Sequence, residues 1–172
     1  MVIRHPLTAL YDTYMGGASI AGVTDRLCLK EDQVRRMEKE WGIAPGHYIN
    51  AGVILMDLER MRDSGAARRA LEIAYKTPFQ YVDQDVLNQA CQGEVMLLPK
   101  KYNICPKDNL QDMKAFRMLL PEHADLFSDE ALHDPVIVHY IGKSKPWNCS
   151  DLPLVQYWYE EENACAAFLK NC

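Results

Sequence analysis

The chain has 172 residues, of which 24 are acidic and 19 basic, for a formal net charge of −5. That length accommodates one domain with a real core. Hydrophobic residues at 48% and charged residues at 25% exclude a disordered or low-complexity chain. No basic field exists to gather phosphates, which argues against a nucleic-acid partner.

In chain order, Val2-Ile3 reads as a strand end, halted at Pro6, which cannot donate to a ladder. Leu7, Leu10, Tyr11 and Tyr14 recur with helical spacing ahead of Gly16-Gly17. Ser19 to Val23 is a run of small apolar residues expected to form a buried strand. Lys30 to Trp41 is charged, with Val34, Met37 and Trp41 on one face, and predicts an amphipathic helix closed at Gly42. His47 to Asp57 holds a continuous apolar stretch, expected as a strand buried on both faces. Asp57 can cap a helix running to about Tyr75, with Leu58, Met61, Ala66 and Ala70 as inward candidates. Asp83-Gln84-Asp85 opens another helix, and Val95 to Leu98 reads as a strand stopped by Pro99. Residues 105–134 are polar with scattered apolar positions, and are expected to be a mobile, variable connection rather than core. Pro135 to Ile141 reads as a buried strand, and Leu154 to Leu169 as a terminal amphipathic helix. Strands alternating with helices predict an α/β class.

The six cysteines form no Cys-x-x-Cys pair and no zinc spacing with histidine, so reduced core thiols are expected. The longest apolar run, Ala51 to Met56, is too short to cross a bilayer. Met1 to Pro6 carries no apolar signal region. The location expected is cytoplasmic, with peripheral membrane attachment left open.

Three polar clusters interrupt the ends of apolar strands, where ligands sit in open α/β sheets. The first runs from His139 through Gly142 and Lys145 to Trp147. An imidazole can bind a divalent cation, a glycine lets backbone N–H approach an anion, and a lysine supplies charge to a diphosphate. The same residues could equally be a core histidine beside solvated lysines. The second is Tyr48-Ile-Asn50-Ala-Gly52, where an amide at a strand edge suits sugar hydroxyls or simply makes a turn. In the third, Asp83 and Asp85 can cap the helix, which leaves Gln84 without a structural reason. No P-loop, dinucleotide or nucleophile-elbow motif occurs.

In order, Tyr48 to Leu58, Tyr81 to Asn88 and Val136 to Trp147 resemble the family 8 glycosyltransferases, retaining enzymes that use nucleotide sugars. The resemblance covers essentially the whole chain, including Leu7 to Asp25. It implies a GT-A-type nucleotide-diphospho-sugar transferase fold with a mixed sheet flanked by helices. It implies that His139 is a ligand of Mn2+ and that Gly142 and Lys145 hold the donor diphosphate. Asn50, Asp25 and Asp83 would bind the donor sugar, with Gln84 and Asp83 at the reaction centre. An amide is a poor nucleophile, which favours a front-face reaction at Gln84. The implied partners are a UDP-sugar donor and a glycan or lipid-linked saccharide acceptor, with cell-envelope glycans as the family-level guess. The family's Asp-x-Asp metal motif would fall immediately before Val2. The chain is therefore expected to be a single partial domain, inactive or incomplete by itself. The alternative is a non-catalytic remnant or interaction module. A metal-free sugar-binding protein ranks last.

Overall fold

The computed structural model describes residues 1–76 and 79–170. Its centre is strand β2 (Ile20–Thr24), all of whose residues are buried. β3 (Ile49–Met56) pairs antiparallel on one side and β4 (Val95–Leu97) parallel on the other, giving the order β3-β2-β4. The small residues of β2 are what let two strands and both covering layers approach it. A Cβ added at Gly22 would lie 2.6 Å from Ile49 Cδ1. A separate antiparallel pair joins β1 (Val2–Ile3) to β5 (Ile137–Val138). Ile104 extends that pair through a parallel bridge to Val138.

The helices are α1 (Thr8–Tyr11), α2 (Glu31–Trp41), α3 (Leu58–Asp63), α4 (Ala66–Lys76), α5 (Val82–Ala90), α6 (Leu110–Leu119) and α7 (Val155–Lys170). α2 forms where the charge pattern predicts it. Glu31 and Asp32 lie in its first turn, and Gly42 closes it in the left-handed region at φ 65°. Successive residues of β2 face opposite ways. Ile20 joins a core with Met37, Ile49, Met61, Met113, Phe116 and Phe127. Ala21 and Val23 join a second cluster with Leu10, Leu98, Tyr102 and Ile137. The result is the mixed, helix-flanked sheet that the sequence predicts.

Several expectations are corrected. Residues 105–134 are not outside the core: Met113, Phe116, Leu120 and Phe127 are fully buried, and Asn109 with Asp112 makes a capping box that starts α6. Their apolar positions fall on one face of α6 and on the following 3-10 turn, a spacing that charge and proline obscure. The helix expected from Asp57 to Tyr75 is two helices, parted at Gly65, whose φ is 75°. Asp57 does cap α3, accepting the Arg60 N–H at 2.8 Å, and Met61 and Ala66 are buried, but Leu58 is exposed. β3 is not buried on both faces: it lies at the edge of the sheet, Met56 is exposed and much of the strand is only half-buried. α1 ends at Tyr11, and both Tyr11 and Tyr14 face solvent.

α7 has no buried residue and docks through a few side chains. Tyr157 and Trp158, with Leu152 and Leu154, pack on Val2, Val138 and Tyr140. Arg4 stacks over the Tyr157 ring at 4.0 Å and pairs with Glu160 at 2.6 Å. Cys28, Cys91 and Cys105 are buried free thiols, as expected; Cys149 and Cys165 are free but not buried, and Cys172 lies outside the described residues. Among the described residues, no helix is long and apolar enough to cross a membrane.

Phe116 stacks on Phe127 with ring centroids 4.9 Å apart. Phe116→Ala is expected to lower unfolding free energy in urea by about 3–5 kcal/mol, whereas Tyr14→Ala, at a solvent-facing position, shifts the midpoint little. Equal, small effects would show that residues 105–134 do not belong to the core.

Candidate active site

The predicted site residues that cluster come from four separate elements. Asp25 follows β2 and begins a 3-10 turn, Arg26–Leu29, by accepting the Leu27 N–H at 2.8 Å. Asn50 and Gly52 lie in the first half of β3, brought beside Asp25 because β2 and β3 run antiparallel. The Asp25 N–H donates to Tyr48 O at 2.9 Å, which fixes that juxtaposition. Gln84 is in the first turn of α5. His139 follows β5, and its backbone N–H donates to Ile104 O at 2.8 Å.

Their side chains form one hydrogen-bonded cluster. Asn50 Nδ2 donates to Asp25 Oδ2 at 2.8 Å, and Gln84 Nε2 donates to the same oxygen at 3.2 Å. Gln84 Oε1 accepts the Ala51 N–H at 3.0 Å. Asn50 Oδ1 accepts the Gly52 N–H at 3.0 Å and Asn103 Nδ2–H at 2.9 Å. Asn103 Oδ1 lies 3.1 Å from His139 Nδ1. The imidazole rests directly on the backbone of Gly52, where an added Cβ would stand 2.0 Å from Cε1. Any other residue at position 52 would displace the ring.

Gln84 therefore does have structural partners, contrary to the sequence reading. Asp85 does the capping: it accepts the Tyr81 N–H at 2.9 Å and the buried Tyr48 hydroxyl at 2.5 Å. Burial and that bond to Asp85 raise the Tyr48 pKa well above its ordinary value. Asp83 does not cap; it is exposed and joins no hydrogen bond of the cluster. Gly142 sits on an exposed loop at φ 80° with open space around it. Lys145 is half-buried, and its ammonium folds back onto the Tyr140 carbonyl. It is nonetheless near enough to act on His139. Burial first, then the positive amino terminus and Lys145, hold the imidazole below its usual 6.5, against an opposing pull from Asp25.

The sequence reading missed Asn103, the amide that joins Asn50 to His139. It is buried at the end of the 3-10 turn Lys100–Tyr102. It also missed Asn88, which clamps the start of β3 by accepting the Ile49 N–H and donating to Ile49 O, both at 2.8 Å. No local pattern marks either, because their partners are distant in sequence. Behind the cluster, Lys100 and Asp108 form a buried ion pair at 2.9 Å. Arg26 reaches Asp112 at 3.0 Å and Asp108 at 3.8 Å, which ties residues 100–112 to the turn after Asp25.

A pocket of about 20 Å³ is lined by Asp25, Asn50, Asn103 and Lys100. It has room for a water-sized group only, so a sugar ring would lie over the cluster rather than inside the chain. Two larger clefts, of about 450 and 360 Å³, share His47, Gly93 and Val95 and contain none of the predicted site residues. Size alone does not locate chemistry; the convergent carboxylate, amides and imidazole do.

Those groups suit hydroxyl recognition: one carboxylate accepts, and amides donate and accept. They do not make a Mn2+ site by themselves. His139 offers one nitrogen, the Asp25 oxygens are already engaged, and among the described residues no group of three His, Cys, Asp or Glu side chains could hold a metal ion. A hard divalent cation needs more oxygen donors than this.

The model of the family described as Glycosyl transferase family 8 matches residues 1–150. The chain belongs to that family. It is 28% identical over 165 residues to the lipopolysaccharide 1,2-glucosyltransferase of Escherichia coli K12, a match spanning 92% of this chain and 45% of that protein. It is likewise 28% identical over 128 residues to the lipopolysaccharide 1,3-galactosyltransferase of Salmonella typhimurium, spanning 71% of this chain and 34% of that one. Among solved structures, galactosyltransferase LgtC with donor and acceptor sugar analogues superposes with a TM-score of 0.64 at 28% identity, over 92% of this chain and 56% of LgtC. The bifunctional glycosyltransferase WbbM gives a TM-score of 0.75 at 21% identity, over 92% of this chain and 30% of WbbM. The fold is thus GT-A-type, and the chain spans about half the length, or less, of the relatives it matches.

A histidine whose pKa is lowered on folding contributes stability that is present above 6.5 and is lost as pH falls through the folded value. In an NMR titration the His139 midpoint is expected below 6.5. Lys145→Met should move it upward by removing a positive neighbour, and Asp25→Asn downward by removing a negative one. A midpoint unmoved by Lys145→Met would place the ammonium away from the imidazole.

Proposed function

We propose that this family 8 chain forms the donor-sugar side of a retaining glycosyltransferase, which moves a hexose from a UDP-sugar to a hydroxyl on a glycan or lipid-linked saccharide. The supporting observation is the cluster itself. Asp25, Asn50, Gln84 and His139 come from distant parts of the chain and converge through hydrogen bonds into one half-buried cluster. The relatives' own names, lipopolysaccharide glucosyl- and galactosyltransferases, support a cell-envelope glycan as the acceptor class. That chemistry would take place in the cytoplasm, with the acceptor met at the membrane surface.

In this reading, Asp25 and Asn50 hold donor hydroxyls, and exposed Asp83 reaches the sugar from the first turn of α5. Gln84 Oε1 uses one lone pair on the Ala51 N–H and keeps the other for positive charge developing at the anomeric carbon. A tethered, neutral amide favours front-face transfer over a covalent intermediate. Gly142 offers backbone to the diphosphate, and Lys145 must release the Tyr140 carbonyl to reach it. His139 supplies one nitrogen toward Mn2+. The family resemblance implies that the remaining donors come from an Asp-x-Asp pair, and the proposed activity is that of a form that carries one. The incomplete donor set equally motivates the second reading, a non-catalytic remnant.

The test compares the 172-residue chain with a form extended by the family's Asp-x-Asp half, reading Mn2+-dependent UDP-sugar hydrolysis. The extended form is expected to turn over and the shorter chain not. Gln84→Ala in the extended form should lower kcat on the order of 10²-fold, the scale of removing one preorganised electrostatic contact. An extended form that neither binds nor hydrolyses UDP-sugars overturns the proposal. Turnover by the shorter chain, abolished by His139→Ala, overturns the remnant reading.

A further inference from the structure

Hydrogen-bond polarity is usually ambiguous at an amide, because oxygen and nitrogen can exchange places. Here one group removes the ambiguity. The Asp25 carboxylate, when ionised, can only accept. Asn50 must therefore turn its nitrogen to Asp25, 2.8 Å away. That places Asn50 Oδ1 toward the Gly52 N–H, itself an obligatory donor, 3.0 Å away. Asn50 Oδ1 can only accept, so the group of Asn103 facing it at 2.9 Å must be the amide nitrogen. Asn103 then has only its oxygen left for His139 Nδ1, at 3.1 Å. An oxygen there requires a proton on Nδ1, and in a neutral imidazole that leaves Nε2 bare.

We propose that Asn103 is a positioning residue that relays the polarity of the Asp25 carboxylate through Asn50 to His139, holding the imidazole in the Nδ1–H tautomer with Nε2 as a free electron-pair donor. Two further features serve the same end. Gly52 leaves the ring its place on the β3 backbone, and the His139 N–H bond to Ile104 O fixes the main chain beside Asn103. Ligating histidines are ordinarily oriented by a partner on the other ring nitrogen, most often a carboxylate or a backbone carbonyl. Here that partner is a neutral side-chain amide, and the charge that dictates its orientation stands two residues further back. The arrangement avoids a second carboxylate beside the donor-sugar surface while still choosing the tautomer. What the free nitrogen is for rests on the sugar-nucleotide reading; the tautomer does not.

The test needs no metal, nucleotide or turnover. Long-range 1H–15N spectra of the 15N-labelled chain at pH 8, with His139 assigned by its absence in His139→Gln, report which ring nitrogen carries the proton. The wild-type chain is expected to show mainly the Nδ1–H form. Asn103→Ala should convert His139 mainly to the Nε2–H form, which predominates for imidazole in water. Asn103→Asp, which keeps an acceptor against Nδ1, should retain the Nδ1–H form. Asp25→Asn should give a mixture, because an amide at position 25 that keeps its oxygen on the Leu27 N–H turns its nitrogen against Asn50, which the Gly52 N–H still pulls the other way. A wild-type Nε2–H form overturns the proposal, as does a tautomer unmoved by Asn103→Ala or by Asp25→Asn. If Asn103→Ala loses its dispersed amide spectrum, the wild-type, Asn103→Asp and Asp25→Asn spectra decide the matter. Failure of UDP-sugar binding in the extended form would sink the functional reading and leave these spectra intact.

Discussion

The Asp25 carboxylate is the constraint around which the site is arranged. One of its oxygens starts the 3-10 turn after β2, and the other gathers the side chains of Asn50 and Gln84. Asp25 therefore sets a backbone direction, the placement of two amides and the sign of a chain of hydrogen bonds together. Charge-assisted bonds of this kind are stronger than bonds between neutral partners. A site built on one such hub needs few other strong contacts, provided each attached group has its remaining polarity satisfied. Gln84 does so through the Ala51 N–H, and Asn50 through Gly52 and Asn103.

The buried ion pair behind this cluster does a different kind of work. Taking Lys100 and Asp108 out of water costs about as much as their attraction returns, so the pair is weak evidence for stability. What it provides is placement. Asp108 also accepts the Cys105 N–H at 2.7 Å, and Arg26 bridges to Asp112. The turn carrying Asn103 is thereby held in register with the turn that begins at Asp25, and the burial of Met113 and Phe116 locks the arrangement from the core side.

Much of this was legible in the sequence. The alternation of strands with helices, the close of α2 at Gly42 and the start of α3 at Asp57 each follow from a local rule of periodicity or capping. The three ordered motifs also single out Asn50, Gln84 and His139, whose side chains the fold brings together, while their roles come only from the family resemblance. What stayed hidden was non-local. Residues 105–134 look like linker because their buried positions are interspersed with charges, and those charges turn out to be the capping box and the ion-pair partners. Gly65 divides a helix that composition alone would run straight through. Asn103 carries no pattern, since its meaning comes only from Asn50 and His139, both far away along the chain. Asp83 and Gln84 were read together but are separated by one step of the helix, which turns one outward and the other inward.

The pairing of β1 with β5 joins residues far apart along the chain, Val2 with Val138. Closing so long a loop costs more entropy than any local contact and slows the step that makes it. His139 stands immediately beyond that pair, whereas Asp25, Asn50 and Gln84 belong to a more local unit of β2, β3 and α5. The β1–β5 pair is therefore the costliest closure around the site, while the imidazole itself is held from the nearer residues Asn103 and Ile104. By the same logic, a fluctuation that parts β1 from β5 leaves His139 held on Ile104 and Asn103 and the other three in place, so the natural line along which the molecule comes apart runs beside the site and not through it.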